Sequence, residues 1–409
     1  MRVDGCFLLL TSIRMGDSMK AVGIIAEFNP LHSGHRYVIE EARKQSGADV
    51  VIVAMSGQLM QRGSIAFVDQ QIRTKWALEA GADLVIQQPV WASLQATDYF
   101  ARAGVETLRL AGCLAYAFGS EVGDSSVFRE TVDLLEKNRD EIDGYMKHHA
   151  LANLGYAENF ETAVSRLKDS QKSIALLRNP NAQLGLAYCL SNSRLTEPMD
   201  MIVIQRQSKH DSLSTEKGVS GSKIRHIFKM NNSKEIIKKY PIWDWISENQ
   251  FQTLERFGKI TDRSLYDHLQ WQLLVLTPKQ ISSYYGVDEG IEYRLIKVAR
   301  LAKTYEEWLE SVKHKRITTA RTRRMALCIV FGLTKSQMLA PFSRPTSKRR
   351  VLGFSPVGRT YLKEKQLPYL TTQYKLFSDD FQMTDQVDLL LSKLYPDYYK
   401  TLEKPVQSY

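Results

Sequence analysis

The sequence predicts an α/β protein: a Rossmann-like parallel sheet in the first half, followed by a mainly helical C-terminal domain. Three observations carry that expectation. Short β-branched runs alternate with amphipathic segments up to about residue 230, a pattern that right-handed crossovers turn into a parallel sheet. The alternation stops near Ser233, after which only helical periodicity remains. The first strand runs into Asn29-Pro-Leu-His-Ser-Gly-His35, at the carboxyl edge where such sheets bind ligands.

Taken in order, Ala21–Ala26 reads as the first buried strand. Asn29-Pro30 makes an extended turn, because the residue before a proline is pushed out of the helical region. Tyr37, Val38 and Ala42 then set the spacing of an amphipathic helix. Asp49–Ala54 is the second strand, and Gly57 and Gly63 mark the loop after it. Asp69 is placed to cap a helix over Gln70–Ala80, which Gly81 ends. Asp83–Ile86 is the third strand, closed by Gln87-Gln-Pro89; Phe100–Leu110 is helical. Leu114–Phe118 is the fourth strand and runs into Gly119-Ser-Glu121. Residues 125–170 read as helical, Asn181 as the cap of a helix Ala182–Leu190, and Met201–Ile204 as a fifth strand ending in Gln205-Arg206. A polar loop over 207–219 precedes Ser220-Gly-Ser-Lys-Ile-Arg225, which opens another helix. Helical segments at 264–276, 289–313 and 320–331 follow. The expected domains are therefore 19–232 and 233–409, with 1–18 a dispensable extension ahead of a natural start at Met19.

Hydrophobic content of 44% and charged content of 24% are those of a globular chain, and 409 residues allow a large core. The net charge of +10 favours an anionic partner such as nucleic acid. Cys6, Cys113, Cys189 and Cys328 show no metal-ligand spacing, which points to a reducing compartment and no structural zinc. No apolar run reaches the roughly 18 residues of a membrane span, and the apolar block Cys6–Leu10 is too short for a signal peptide. A cytoplasmic protein is expected.

His32 and His35 lie where a strand gives way to a helix. A helix N-terminus presents unpaired N–H groups and a partial positive charge, which suit a phosphate. Two imidazoles there add donors where charge builds up in phosphoryl transfer. Ser33 and Gly34 are small enough to let a ligand approach the backbone. GxxxxGK[ST], HExxH and kinase signatures are all absent. No protein nucleophile is evident, so the pattern points to direct attack of a substrate oxyanion on the α-phosphate of a nucleotide. Gly57, Pro89 and Gly119 fall at the same sheet edge and fit one shared site. Arg206, at a strand end, points toward it; Ser222 and Arg225 could hold a triphosphate, or simply start a helix. His210-Asp211 reads as surface. The basic stretch Lys313–Arg324 and the cluster Ser347–Arg350 suit RNA phosphates. Lys315, Arg316, Arg321, Arg323, Arg324, Lys348, Arg349 and Arg350 are the expected contacts.

Several stretches together resemble the bacterial tRNA(Met) cytidine acetate ligases, a branch of the HxGH nucleotidyltransferase superfamily. They are Lys20–Glu41, Met55-Ser-Gly57 with Gln61-Arg-Gly63 and Asp69, Gly81–Ile86, Phe118–Glu121, Pro180-Asn181 with Leu184-Gly185, Ile204–Arg206, and the segment up to Arg225. The resemblance implies a nucleotidyltransferase core that activates acetate with ATP, releases pyrophosphate, and transfers the acetyl group from acetyl-adenylate to N4 of the wobble cytidine of elongator tRNA(Met). It implies ATP contacts at Ile25, Ala26, Glu27, Phe28, Asn29, Pro30, Leu31, His32, Ser33, Gly34, His35, Arg36, Tyr37, Val38, Gly119, Asn181 and Arg206. His32 and His35 would be catalytic, neutralising charge on the α-phosphate, with Mg²⁺ held by the triphosphate and water rather than by a protein cage. Gln87-Gln-Pro89 stands where the family commonly has Glu-Leu-Pro, and the loop after Arg206 lacks the family's Gly-rich, Tyr-containing form. The residues alone leave two other readings open: adenylyl transfer to a small phosphorylated metabolite, and RNA binding with a relic nucleotide site.

Overall fold

The computed structural model describes residues 18–148, 156–206, 220–288, 290–314, 317–343, 348–373, 381–401 and 403–407. Residues 1–17, the His210-Asp211 pair, and Lys315 and Arg316 lie outside the described residues.

Five parallel strands form the centre of the sheet: β1 (Ala21–Ala26), β2 (Val50–Ser56), β3 (Leu84–Gln88), β4 (Ala115–Ser120) and β5 (Asp200–Gln205). Their spatial order is β5-β4-β1-β2-β3, so the chain reverses direction of travel beside β1, and ligands bind at such switch points. Every residue of β2 and β3 is buried, which explains why these strands read as unbroken apolar runs. Helix α1 (Ser33–Ser46) follows β1, and α2 (Gln70–Glu79) follows β2. Asp69 caps α2 as expected, accepting from Gln71 N at 2.7 Å.

The sequence-based division at Ser233 needs correction. Helices fill most of 233–343, but β6 (Arg349–Phe354) returns to the sheet and pairs antiparallel with β3. Two short strands, β7 (Leu370–Thr371) and β8 (Val406–Gln407), pair with β6 in turn. One apolar core runs without interruption from Val22 and Val53 through Trp76 to Phe257, Leu327, Val387 and Tyr399. The C-terminal part therefore shares the core of the sheet domain instead of forming its own.

The cluster read as basic surface is the start of β6. Arg349 and Arg350 are 2% and 0% exposed. Arg350 makes a bidentate pair with Asp385 (2.7 and 3.2 Å) and lies over the Phe381 ring at 4.4 Å. Arg349 donates to Thr107 Oγ1 at 3.0 Å and lies over Trp91. Burial in a matched protein environment removes both from the expected RNA contacts; Lys348 is exposed.

Gln87 and Gln88 are also buried, and neither lines the cleft described below. Gln87 donates to Gln70 at 2.7 Å, and Gln70 donates to Asp388 at 2.8 Å. The departure from Glu-Leu-Pro thus affects an internal amide chain, not the wall of the site. Both amide atoms of Gln88 lack a hydrogen-bond partner among the described residues. Burial pushes the Asp388 carboxyl up to about 8, with the nearby Asp69 and Asp385 charges adding to the effect. A carboxyl raised above its unfolded value contributes stability at low pH, and that contribution is lost as pH rises toward 8. Asp388→Asn keeps the acceptor for Gln70 and cannot ionise. Its melting temperature relative to wild type is therefore expected to rise progressively between pH 4 and pH 8, as thermal scans across that range will test.

Candidate active site

The β1–α1 junction places the two histidines by helix-capping geometry. His32 is the N-cap of α1, in extended conformation, and its Nδ1 accepts from Gly34 N at 3.2 Å. His35 returns the contact, its Nδ1 accepting from His32 N at 3.3 Å. This is a capping box built from two imidazoles, with ring centroids 3.9 Å apart. A ring nitrogen that accepts an N–H carries no proton, so the proton of each neutral ring sits on Nε2. Each histidine therefore has a donor left for a ligand.

Both rings are neutral at physiological pH. Burial, together with the Arg206 cation, lowers His32 to about 4. Burial, the His32 ring and Arg206 hold His35 well below the ordinary imidazole value. With both rings neutral, the pair offers N–H donors, as the sequence suggested, and the cation acting on them is Arg206.

The junction opens on a cleft of about 2020 Å³ at the carboxyl edge of the sheet. Of the expected ATP contacts, Ile25, Ala26, Glu27, Phe28, Asn29, His32, Ser33, Gly34, His35, Tyr37, Val38, Gly119, Asn181 and Arg206 line it. Pro30, Leu31 and Arg36 do not. Leu31 is fully buried with its carbonyl accepting from Gln250, and Arg36 turns along α1 to reach Gln250 Oε1 at 3.1 Å. The Asn29–Pro30 peptide is cis, and Asn29 Oδ1 accepts from Phe67 N at 2.6 Å.

Gly119, next to last in β4, lies between Val38 and Arg206; a Cβ there would lie 3.2 Å from Val38 Cγ2 and 3.6 Å from Arg206 Cγ. Asn181 is not the cap expected from the sequence. Pro180 occupies the first turn of the helix Pro180–Ser193, so Asn179 takes the cap position without a side-chain bond. Glu121 does the capping from the end of β4, accepting from Ala182 N at 3.2 Å and from Asn181 Nδ2. Ser222 and Arg225 both line the cleft. Ser220 caps their helix, while Ser222 Oγ accepts from Arg225 at 2.9 Å and Arg225 also donates to the Asn29 carbonyl. Gly221 permits this approach, since a Cβ there would lie 2.7 Å from Asn29 O.

Three contributors escaped the sequence reading. Arg73, on α2 and fully buried, donates to the carbonyls of Glu27 (2.8 Å), Ser56 (3.0 Å), Val68 (2.8 Å) and Gly57. It ties the loops after β1 and β2 together, and burial lowers it to about 10. Gln61 and Arg62 line the cleft from the loop after β2. Gln61 N donates to Glu27 Oε1 at 2.6 Å. The match at Gln61-Arg-Gly63 was the available signal for these two; Arg73 had none.

The basic stretch reaches the same cleft. Thr319–Val330 is a helix capped by Thr318, and Thr318, Ala320 and Arg324 line the opening. Arg324 donates to the Gln61 carbonyl at 3.1 Å, and Gly63 lies so close that a Cβ would be 2.7 Å from Arg323 Cβ. Arg321 lies 3.9 Å from Asp288, whereas Arg323 is exposed.

A strand–loop–helix junction with paired histidines at the switch point of a five-stranded parallel core is the setting, and the family match gives the class, a nucleotidyltransferase of the HIGH type. The chain matches the family described as HIGH Nucleotidyl Transferase over residues 19–407. It is 32% identical over 349 residues to the tRNA(Met) cytidine acetate ligase of Latilactobacillus sakei subsp. sakei (strain 23K), covering 85% of each. It is 34% identical over 367 residues to the tRNA(Met) cytidine acetate ligase of Lysinibacillus sphaericus (strain C3-41), covering 86% of this chain and 89% of the relative. Thermotoga maritima TmcAL, crystallised with alpha-thio ATP, superposes with a TM-score of 0.78 at 26% identity, covering 92% of this chain and 93% of that one. The chain belongs to the tRNA(Met) cytidine acetate ligase family. Among the described residues, no helix is long and apolar enough to cross a membrane.

Proposed function

We propose that this protein is an ATP-dependent ligase that acetylates N4 of the wobble cytidine in elongator tRNA(Met) through acetyl-adenylate, and that it does so in the cytoplasm. The observation that carries the chemistry is the pair of neutral Nε2–H donors at the N-terminus of α1. In the first step, an acetate oxygen attacks the α-phosphorus of ATP and pyrophosphate leaves. His32 and His35 donate to the oxygens on which charge grows, and fixed donors of this kind need no reorganisation during reaction. Arg206, close enough to depress both imidazoles, supplies the cationic charge. Ser222 and Arg225 line the same cleft, with Arg225 reaching the Asn29 carbonyl, and suit the β- and γ-phosphates.

Among the described residues, no group of three or more His, Cys, Asp or Glu gathers to hold a metal ion. Mg²⁺ entering with ATP would be held by phosphate oxygens and water, where it would screen the charge of the leaving pyrophosphate.

In the second step, the cytidine N4 attacks the acetyl carbonyl and AMP leaves. The basic helix Thr319–Val330 at the mouth of the cleft supports this acceptor, because it brings the exposed Arg323 beside Gly63 of the loop after β2. Arg323→Ala is expected to weaken tRNA binding and to reduce the slope of log affinity against log salt by about one; titrations at several salt concentrations measure both.

Incubation with ATP, labelled acetate and tRNA, followed by nucleoside digestion, tests the whole reading. Label in N4-acetylcytidine is the expected result. AMP attached to a small metabolite with unlabelled RNA would replace it with the adenylyltransferase reading.

A further inference from the structure

The second step needs a base, and the histidines are unsuited to it. N4 of cytidine is amide-like and must lose a proton as its bond to the acetyl carbon forms. Both Nδ1 atoms already accept backbone N–H groups and both Nε2 atoms carry protons, so the imidazoles can only donate. Glu121 is engaged twice in capping the helix Pro180–Ser193. Glu27 remains.

Glu27 follows β1 directly and lines the same cleft as His32 and His35. Its carboxylate has a single hydrogen bond among the described residues, from Gln61 N, and no ion pair within 4.0 Å. The charges of Arg225, Arg73 and Arg62 act on it from a greater distance. A carboxylate in this position repels the phosphates of a triphosphate, so holding their charge gives no reason for it. Its location does: Gln61, which donates to Glu27, accepts from Arg324 of the basic helix. Glu27 thus sits where the RNA-facing helix meets the adenylate-forming junction.

We infer that Glu27 is the general base of acetyl transfer, a role that rests on the acetate-ligase reading above. The N4 lone pair forms the new C–N bond to the acetyl carbon. The bond between that carbon and the phosphate oxygen breaks, and AMP leaves with the electron pair. The N4 proton passes to the Glu27 carboxylate and from there to water. Burial raises this carboxyl above the usual range while the neighbouring cations oppose the rise, which makes it a better proton acceptor than an exposed glutamate.

The test separates the two half-reactions. Acetate-dependent exchange of pyrophosphate into ATP reports activation, and chemically prepared acetyl-adenylate with tRNA reports transfer alone. Glu27→Gln retains an oxygen acceptor for Gln61 N and removes the base. Its transfer rate is expected to fall by roughly 100-fold or more, and by at least tenfold more than its exchange rate. Glu27→Asp, which keeps a carboxylate one methylene further back, is expected to shift this ratio less than Glu27→Gln and guards against a folding defect of the amide. A ratio shifted less than tenfold in Glu27→Gln, or equally by both variants, overturns the assignment alone. Wild-type protein without acetate-dependent exchange overturns the ligase reading and the base assignment with it.

Discussion

Replacing His32 by asparagine is expected to lower acetate-dependent ATP–pyrophosphate exchange by roughly 10²–10³-fold without unfolding α1. The His32 side chain does two separable jobs. His32 Nδ1 caps the helix by accepting from Gly34 N, and asparagine is among the best N-cap residues, so about 1 kcal/mol of capping is retained. What asparagine cannot reproduce is the Nε2–H donor on the opposite edge of the ring. Losing one such donor to a developing oxyanion typically costs two to three orders of magnitude in turnover. His35→Ala removes both a donor and the return bond to His32 N; it is expected to abolish exchange while tRNA binding stays as in wild type. Loss of tRNA binding in step with exchange would mean that the histidines chiefly maintain the fold.

The largest expected effect on stability lies far from the histidines. Asp385→Ala leaves the fully buried Arg350 guanidinium without its bidentate partner. Breaking a buried ion pair from one side costs about 3–5 kcal/mol, because the remaining charge stays buried. The double variant Arg350→Met with Asp385→Leu replaces the pair by apolar groups and is expected to recover most of the loss. Denaturant midpoints of wild type, single and double variants measure this. A stable Asp385→Ala protein with altered tRNA affinity would instead return Arg350 to the RNA surface.

The arginines of β6 also show where the sequence stops being legible. β1 to β4 could be read because strands buried on both faces spell continuous apolar runs, β5 because its Met201–Ile204 run is apolar although half-buried, and the structure moves their ends by only a few residues. β6 begins Arg349-Arg350, and two adjacent cations look like surface. What buries them is Asp385 and the rings of Trp91 and Phe381, partners brought in only by the tertiary fold. The cap of the helix Pro180–Ser193 was misplaced for a similar reason: Glu121, which supplies it, lies 61 positions before Ala182. The histidines were legible by placement alone, at a strand end and a helix start. Their neutrality was not, since it follows from two backbone N–H groups and from burial.

The central claim is that this junction adenylates a carboxylate. Exchange of labelled pyrophosphate into ATP, with acetate as the sole added acceptor and no RNA present, tests it most directly. The account predicts exchange that requires acetate and disappears in His35→Ala. Exchange that ignores acetate but responds to a phosphorylated metabolite would contradict it.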